Sequence, residues 1–189
     1  MTEDPASLAE RIHGLLPQTQ CRRCGFEGCR PYAEALAEGR TRANRCPPGG
    51  EPVLRALERL LGVSEAGLDP ECGSESPPAV AQVIEVDCIG CARCIDACPT
   101  DAIVGARKWM HGVIAEDCSG CELCLPACPV DCIRMVGADH LPTRPLDGGE
   151  IAGRAQHFRR LQARREARLE RMALRRRAAL AARLGEVTP

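Results

Sequence analysis

Aromatic side chains are nearly missing from this chain of 189 residues: Phe26, Tyr32, Trp109 and Phe158 are the whole set. The 44% hydrophobic content is filled out by 14 cysteines and many alanines, so little bulky apolar area can be removed from water. That excludes a single large apolar core. Long uncharged apolar runs are missing too. Glu10 and Arg11 interrupt the first one, and no stretch reaches membrane-spanning length. The start, Met1-Thr2-Glu3-Asp4-Pro5, has neither the basic residues nor the apolar run of a secretory signal. A cytoplasmic, reducing location is therefore expected, with cysteines that bind metal rather than pair as disulfides. No glycine-rich phosphate loop or dinucleotide fingerprint occurs. His13, His111, His140 and His157 lie in separate contexts without metal-ligand or base–nucleophile spacing, so surface or packing roles are expected of them. Nothing points to a substrate-transforming site.

What the chain does have is organised cysteine. Asp87-Cys88-Ile89-Gly90-Cys91-Ala92-Arg93-Cys94 through Cys98-Pro99-Thr100-Asp101-Ala102-Ile103 returns 30 residues later, from Asp117 to Ile133. The two runs are Cys88, Cys91, Cys94, Cys98-Pro99 and Cys118, Cys121, Cys124, Cys128-Pro129. Both fit C-x2-C-x2-C-x3-C-P. Three closely spaced thiolates reach three irons of a [4Fe–4S] cubane, and in two-cluster modules the fourth cysteine of each run serves the other cluster. The expected ligand sets are Cys88, Cys91, Cys94 and Cys128 for one cluster, and Cys118, Cys121, Cys124 and Cys98 for the other. Zinc knuckles would need paired C-x2-C units with a longer spacer. Crossed ligation turns metal-binding free energy into folding free energy, which lets so aromatic-poor a stretch fold.

An earlier quartet, Cys21, Cys24, Cys29 and Cys46, suits a third cubane or a zinc ion. Gly25 and Gly28 favour the cubane, because amide groups in a glycine-containing loop can hydrogen-bond bridging sulfides. Cys132 aligns with Ala102 in the repeat and reads as a small buried filler. Cys72 stands alone and reads as a free thiol. Asp87, Asp101, Asp117 and Asp131 recur beside the runs, and helix starts and turns account for them.

Around these cysteines the predicted fold class is α+β. Residues 1–62 form a small helical module: a helix capped by Asp4 and ended by Pro17, a short one begun by Pro31, and a third from Pro52 to the stop at Gly62. Residues 63–79, rich in Gly, Ser, Pro and acidic side chains, read as a flexible linker. Residues 80–142 form a (βαβ)2 ferredoxin module with strands at Val83–Val86, Ile103–Val104, Val113–Ile114 and Ile133–Val136. Residues 150–185 read as an arginine-rich helix. Residues 150–189 hold 11 Arg and 4 Glu, a net of +7, which leaves 14 basic and 22 acidic groups, a net of −8, on residues 1–149. A solvated face is the simple reading of that helix. A stripe through Phe158, Leu161, Leu169, Met172 and Leu180 also suits docking on a partner or an anionic membrane surface, and nucleic acid is a further option.

The region from Leu15 to Val136 resembles the B subunit of the Rnf (Rsx) electron transport complex. The likeness is carried by Leu16-Pro17-Gln18-Thr19-Gln20-Cys21, Gly28-Cys29-Arg30-Pro31-Tyr32-Ala33, Cys46-Pro47-Pro48-Gly49-Gly50, both ferredoxin runs, and Val130-Asp131-Cys132-Ile133. The resemblance implies a third [4Fe–4S] cluster on Cys21, Cys24, Cys29 and Cys46, and so three clusters in all. It also implies electron relay in a complex that links ferredoxin and NAD to ion movement across the inner membrane, with other Rnf/Rsx subunits as partners. Members of that family usually begin with a transmembrane helix, whereas here the cluster motif starts close to Met1. A free soluble polyferredoxin serving other redox proteins is the alternative expectation, and a peripheral contact with the membrane through the arginine-rich tail, in place of the usual anchor, is a further one.

Overall fold

The computed structural model describes residues 4–75, 77–137 and 148–185. It is an α+β chain with two separate apolar clusters, one helical and one built on strands.

The helical part opens with α1 (Pro5–Leu15), whose free first amides are met by Asp4: its carboxylate accepts from the Ser7 amide at 3.3 Å. Ile12 and Leu16 are buried against α2 (Cys29–Ala37), which starts two residues earlier than Pro31. The third helix, α3 (Gly50–Leu61), buries Val53, Leu54 and Leu57 on one face and ends at Gly62, whose φ of 68° is the left-handed stop. Tyr32 lies at the centre, its hydroxyl donating to the Arg42 carbonyl at 2.9 Å and accepting from the Arg45 amide at 3.2 Å.

Part of the stretch after α3, expected from its composition to be a flexible linker, makes contacts with the helical part. Asn44 donates to the Gly67 carbonyl at 3.1 Å and accepts the Asp69 amide on its own carbonyl at 2.9 Å. Arg42 pairs with Glu65 and Arg45 with Asp69. Leu68 joins the helical apolar cluster, and Cys72 is buried in a turn of Pro70–Cys72. Asn44 thus meets two backbone groups of this stretch and the two arginines meet its carboxylates, which ties residues 65–69 to the helical part without periodicity of their own.

Among the described residues the second part has four short strands in two antiparallel pairs. Strand β1 (Ala79–Val83) pairs with β4 (Ile133–Gly137), and β2 (Ile103–Val104) pairs with β3 (Gly112–Val113). The first strand lies upstream of the Val83–Val86 run, because Glu85–Asp87 closes a tight turn and leaves Val86 in water. After the second cysteine of the first run comes α4 (Arg93–Ala97), in which the Asp96 amide donates to the Ala92 carbonyl. The second run has only turns here. Pro126 stands where Asp96 stands in the first copy, and proline has no N–H to make that bond.

The last helix, α5 (Gly148–Gly185), is about 57 Å long at 1.5 Å per residue. It is not simply a solvated face. Ala155 and Phe158 are buried, His157 meets Asp117 at 2.8 Å, Arg159 pairs with Glu10 of α1, and Arg168 grips Asp101 through two bonds of 3.0 and 2.7 Å. The helix thus straps the helical and strand-bearing parts together. Its further course, from Leu169 through Arg183, is exposed. Asp101 and Asp117, read from the repeat as turn residues, are also the strap's anchors. His140 lies outside the described residues.

Candidate metal centres

The loops that carry the thiols are built on left-handed backbone. In the repeat, Gly90 and Gly120 (φ 66° and 71°), Ala92 and Glu122 (65° and 63°), and Asp101 and Asp131 (54° and 50°) adopt it at matched positions. Alternating left-handed residues turn successive N–H groups inward, which makes a concavity suited to an anionic centre. Glycine is required at two of these places. A Cβ at Gly90 would stand 2.7 Å from the Trp109 nitrogen, and one at Gly120 only 2.5 Å from the Ala79 carbonyl oxygen.

Two clefts result. One is lined by Cys88, Cys91, Cys94 and Cys128, with His111 and Cys132 beside them. The other is lined by Cys98, Cys118, Cys121 and Cys124, with Thr100 and Ser119. Each cleft takes three thiols from one run and the fourth from the other. Backbone amides already point at sulfur: Ala102 N donates to Cys98 at 3.3 Å and Ala81 N to Cys118 at 3.4 Å.

The helical part gathers Cys21, Cys24, Cys29 and Cys46: burial first, and then the nearby Cys29, Cys21 and Cys24, push the Cys46 thiol well above its usual range. Its loop is held by a relay of amides. Gln18 donates to the His13 carbonyl at 2.6 Å, Gln20 donates to Gln18 at 3.1 Å, and the Cys29 amide donates to Gln20 at 2.9 Å. Gly28 leaves room for that last contact, since a Cβ there would meet Gln20 Oε1 at 2.8 Å.

Burial dominates the chemistry of these thiols. It pushes Cys29 and Cys124 up to about 12 and Cys94 and Cys121 up to about 11, with neighbouring thiols adding to the effect. Buried thiols so crowded become thiolates only when positive charge replaces their protons. Iron does this, and thiolate is the ligand type that iron–sulfur clusters take. Quartets of thiols gathered in clefts, with backbone amides aimed at sulfur, are a donor set that fits an iron–sulfur cluster.

Comparison with known proteins agrees. A family model described as "4Fe-4S dicluster domain" matches residues 81–135, and one described as "Putative Fe-S cluster" matches residues 16–48. The B subunit of the ion-translocating oxidoreductase complex from Alkalilimnicola ehrlichii is 60% identical over 134 residues, which is 70% of this chain and 72% of that protein. Its counterpart in Hahella chejuensis is 53% identical over 158 residues, covering 79% and 80% of the two chains. That of Pseudomonas paraeruginosa is 62% identical over 128 residues, 68% of this chain and 66% of its own length. The chain belongs to the family of B subunits of the ion-translocating oxidoreductase complex. No solved structure matches it.

Like the Rnf B subunits it resembles, this family member is an iron–sulfur electron-transfer protein. Among its described residues no helix is long and apolar enough to cross a membrane. Three residues have positions that the sequence did not disclose. Cys132 lies 3.5 Å from Cys128, and burial and that neighbour push its thiol up to about 12. Cys72 is buried, within electrostatic reach of Cys24. His111, expected on the surface or in packing, contacts Cys88 and Cys94. Those partners lie 23 and 17 residues upstream, beyond any spacing rule; the signal available was its place in the repeat, opposite Ala81.

Proposed function

We propose that this B-family homologue relays single electrons through three [4Fe–4S] clusters. The proposed ligands are Cys21, Cys24, Cys29 and Cys46; Cys88, Cys91, Cys94 and Cys128; and Cys98, Cys118, Cys121 and Cys124. The observation that carries this reading is the sorting of eight thiols into two clefts, each completed by a cysteine of the opposite run. When bound, the clusters supply one-electron redox centres. Residues 1–62 then act as one cluster module and 80–142 as a two-cluster module, joined through 63–79 and strapped by 150–185.

The contacts between modules support an order for this relay. Ser119 donates to the Thr19 carbonyl at 3.0 Å, and Arg23 pairs with Glu122 at 2.7 Å. These join the loop around Cys21 and Cys24 to the loop around Cys118 and Cys121. The Cys98 site is thus the middle station, and the Cys88 site the far end. Redox proteins and the other members of the complex are the partners this reading implies. Arg171, Arg175, Arg176, Arg177 and Arg183 on the exposed course of α5 support a peripheral contact with the anionic cytoplasmic face of the membrane. Salt-sensitive sedimentation with anionic liposomes tests that contact.

Anaerobic iron and sulfide analysis, with EPR of the reduced protein, tests the relay. Three cubanes predict about twelve irons per chain. About eight irons with bound zinc would remove the N-terminal cluster, and iron-free protein that keeps its fold would remove the reading altogether.

A further inference from the structure

His111 enters the chain just before β3 and is 2% exposed. Its Nδ1 stands 3.3 Å from Cys94 Sγ and 3.6 Å from Cys88 Sγ, while its buried Nε2 has no partner. Thiolate sulfur bound to iron can only accept, so the ring proton belongs on Nδ1. Room for the ring is made by Gly105, where φ is +140° and a Cβ would meet His111 Cδ2 at 2.6 Å. Leaving a buried ring nitrogen unpaired has a cost that a leucine would avoid. The cost is accepted on one side of the module only. The repeat-equivalent residue is Ala81, and there the Cys118 sulfur receives a backbone amide.

We propose that His111 donates from Nδ1 to the Cys88 and Cys94 thiolates and thereby raises the reduction potential of the Cys88 site relative to the Cys98 site, making the far end of the relay the better electron acceptor of the pair. The proposal rests on the ligand assignment above. Reduction adds negative charge to a cluster and its sulfurs, so a donor aimed at sulfur stabilises the reduced form more than the oxidised one.

The test is an EPR-monitored redox titration, at one fixed pH, of the full chain reconstituted with iron and sulfide, as wild type, His111→Leu, His111→Asn and Gly105→Ala. Removing the donor is expected to disfavour reduction of one cluster about tenfold. That is a fall of about 59 mV in one midpoint, with the other two unmoved and the iron content unchanged. His111→Asn, whose amide can take the place of Nδ1–H, restores most of the potential. Gly105→Ala keeps the imidazole but displaces it and lowers the same midpoint; it decides the matter should His111→Leu fail to hold its cluster. Unchanged midpoints in fully loaded His111→Leu and Gly105→Ala would overturn the role of His111, as would equal movement of all three. A wild-type chain that never takes up a cluster at the Cys88 site would overturn the ligand assignment instead, and iron analysis separates the two failures.

Discussion

The two cores of this molecule are made of different material. In the helical part the buried cluster holds Ile12, Leu16, Tyr32, Leu36, Leu54 and Leu57, with Cys24, Cys29 and Cys46 at its edge. In the strand-bearing part half of the buried apolar set is sulfur: Cys94, Cys98, Cys118, Cys124 and Cys132 accompany Val80, Ala81, Ala102, Ile103 and Ile133. Helices with an apolar stripe can bury area against one another before any metal arrives. Strands of two to five residues cannot, and an isolated short pair is marginal in water. On the proposed ligand assignment, metal is an addition to one core and the substance of the other.

The largest expected effect follows from that contrast. Anaerobic removal of iron with a chelator should unfold residues 79–137, because their binding free energy is their folding free energy. The helices α1 to α3 should survive in part. Limited proteolysis of the iron-free chain would then cut within 79–137 and spare 5–61, with most of the helical circular dichroism retained. Equal protection of both parts, or equal loss, would erase the distinction between the cores.

This division was partly legible from sequence. The repeat and its cysteine spacing sufficed to mark an iron–sulfur electron-transfer protein, and Asp4, Gly62 and the leucines of α3 marked helices whose ends the structure moves by a few residues. What sequence could not carry were contacts between distant segments. Residues 65–72 look like a tether until Asn44, Arg42 and Arg45 reach across to them. The arginine-rich helix looks solvated because, among its described side chains, Ala155 and Phe158 alone are fully buried. His111 reaches sulfur only because Gly105, on the strand-side loop before it, lacks a Cβ. Periodicity and spacing report on neighbours in the chain, and these features depend on neighbours in space.

The strap sharpens the comparison at the next level of magnitude. Phe158 is 2% exposed between the two parts, near Pro17 and Val53 on one side and Gly120 on the other. Phe158→Ala should cost about 3–5 kcal/mol of the strap's docking energy by removing a buried aromatic. The hydrogen bond between His157 and Asp117 and the ion pairs of Arg159 and Arg168 are partly exposed and contribute little by themselves. The expected result is faster hydrogen exchange along 150–168 in the iron-loaded variant, with iron content and the exchange of α3 unchanged. Loss of iron from the strand-bearing sites would mean that the strap, and not the metal alone, holds that core together.

The smallest effect concerns a group that belongs to the helical core alone. Burial, aided by the nearby Arg30 and Arg159 charges, holds the His13 imidazole down to about 4 from an ordinary 6.5. The ring is 3% exposed, and its Nδ1 accepts from Arg30 at 3.4 Å. Between pH 6.5 and 4 the unfolded chain takes up a proton that the folded chain refuses. Stability from this group is thus complete above pH 6.5 and is lost as pH falls toward 4, by at most about 3 kcal/mol. His13→Asn keeps an acceptor for Arg30 and does not titrate. Because the clusters are common to both chains, the difference between wild-type and variant melting temperatures, followed from about pH 7 to about pH 4, isolates the histidine from acid loss of iron. That difference should shift steadily in the variant's favour through this window, and parallel pH profiles would mean that His13 is charged within the fold and that the helical core tolerates more water than its leucines suggest.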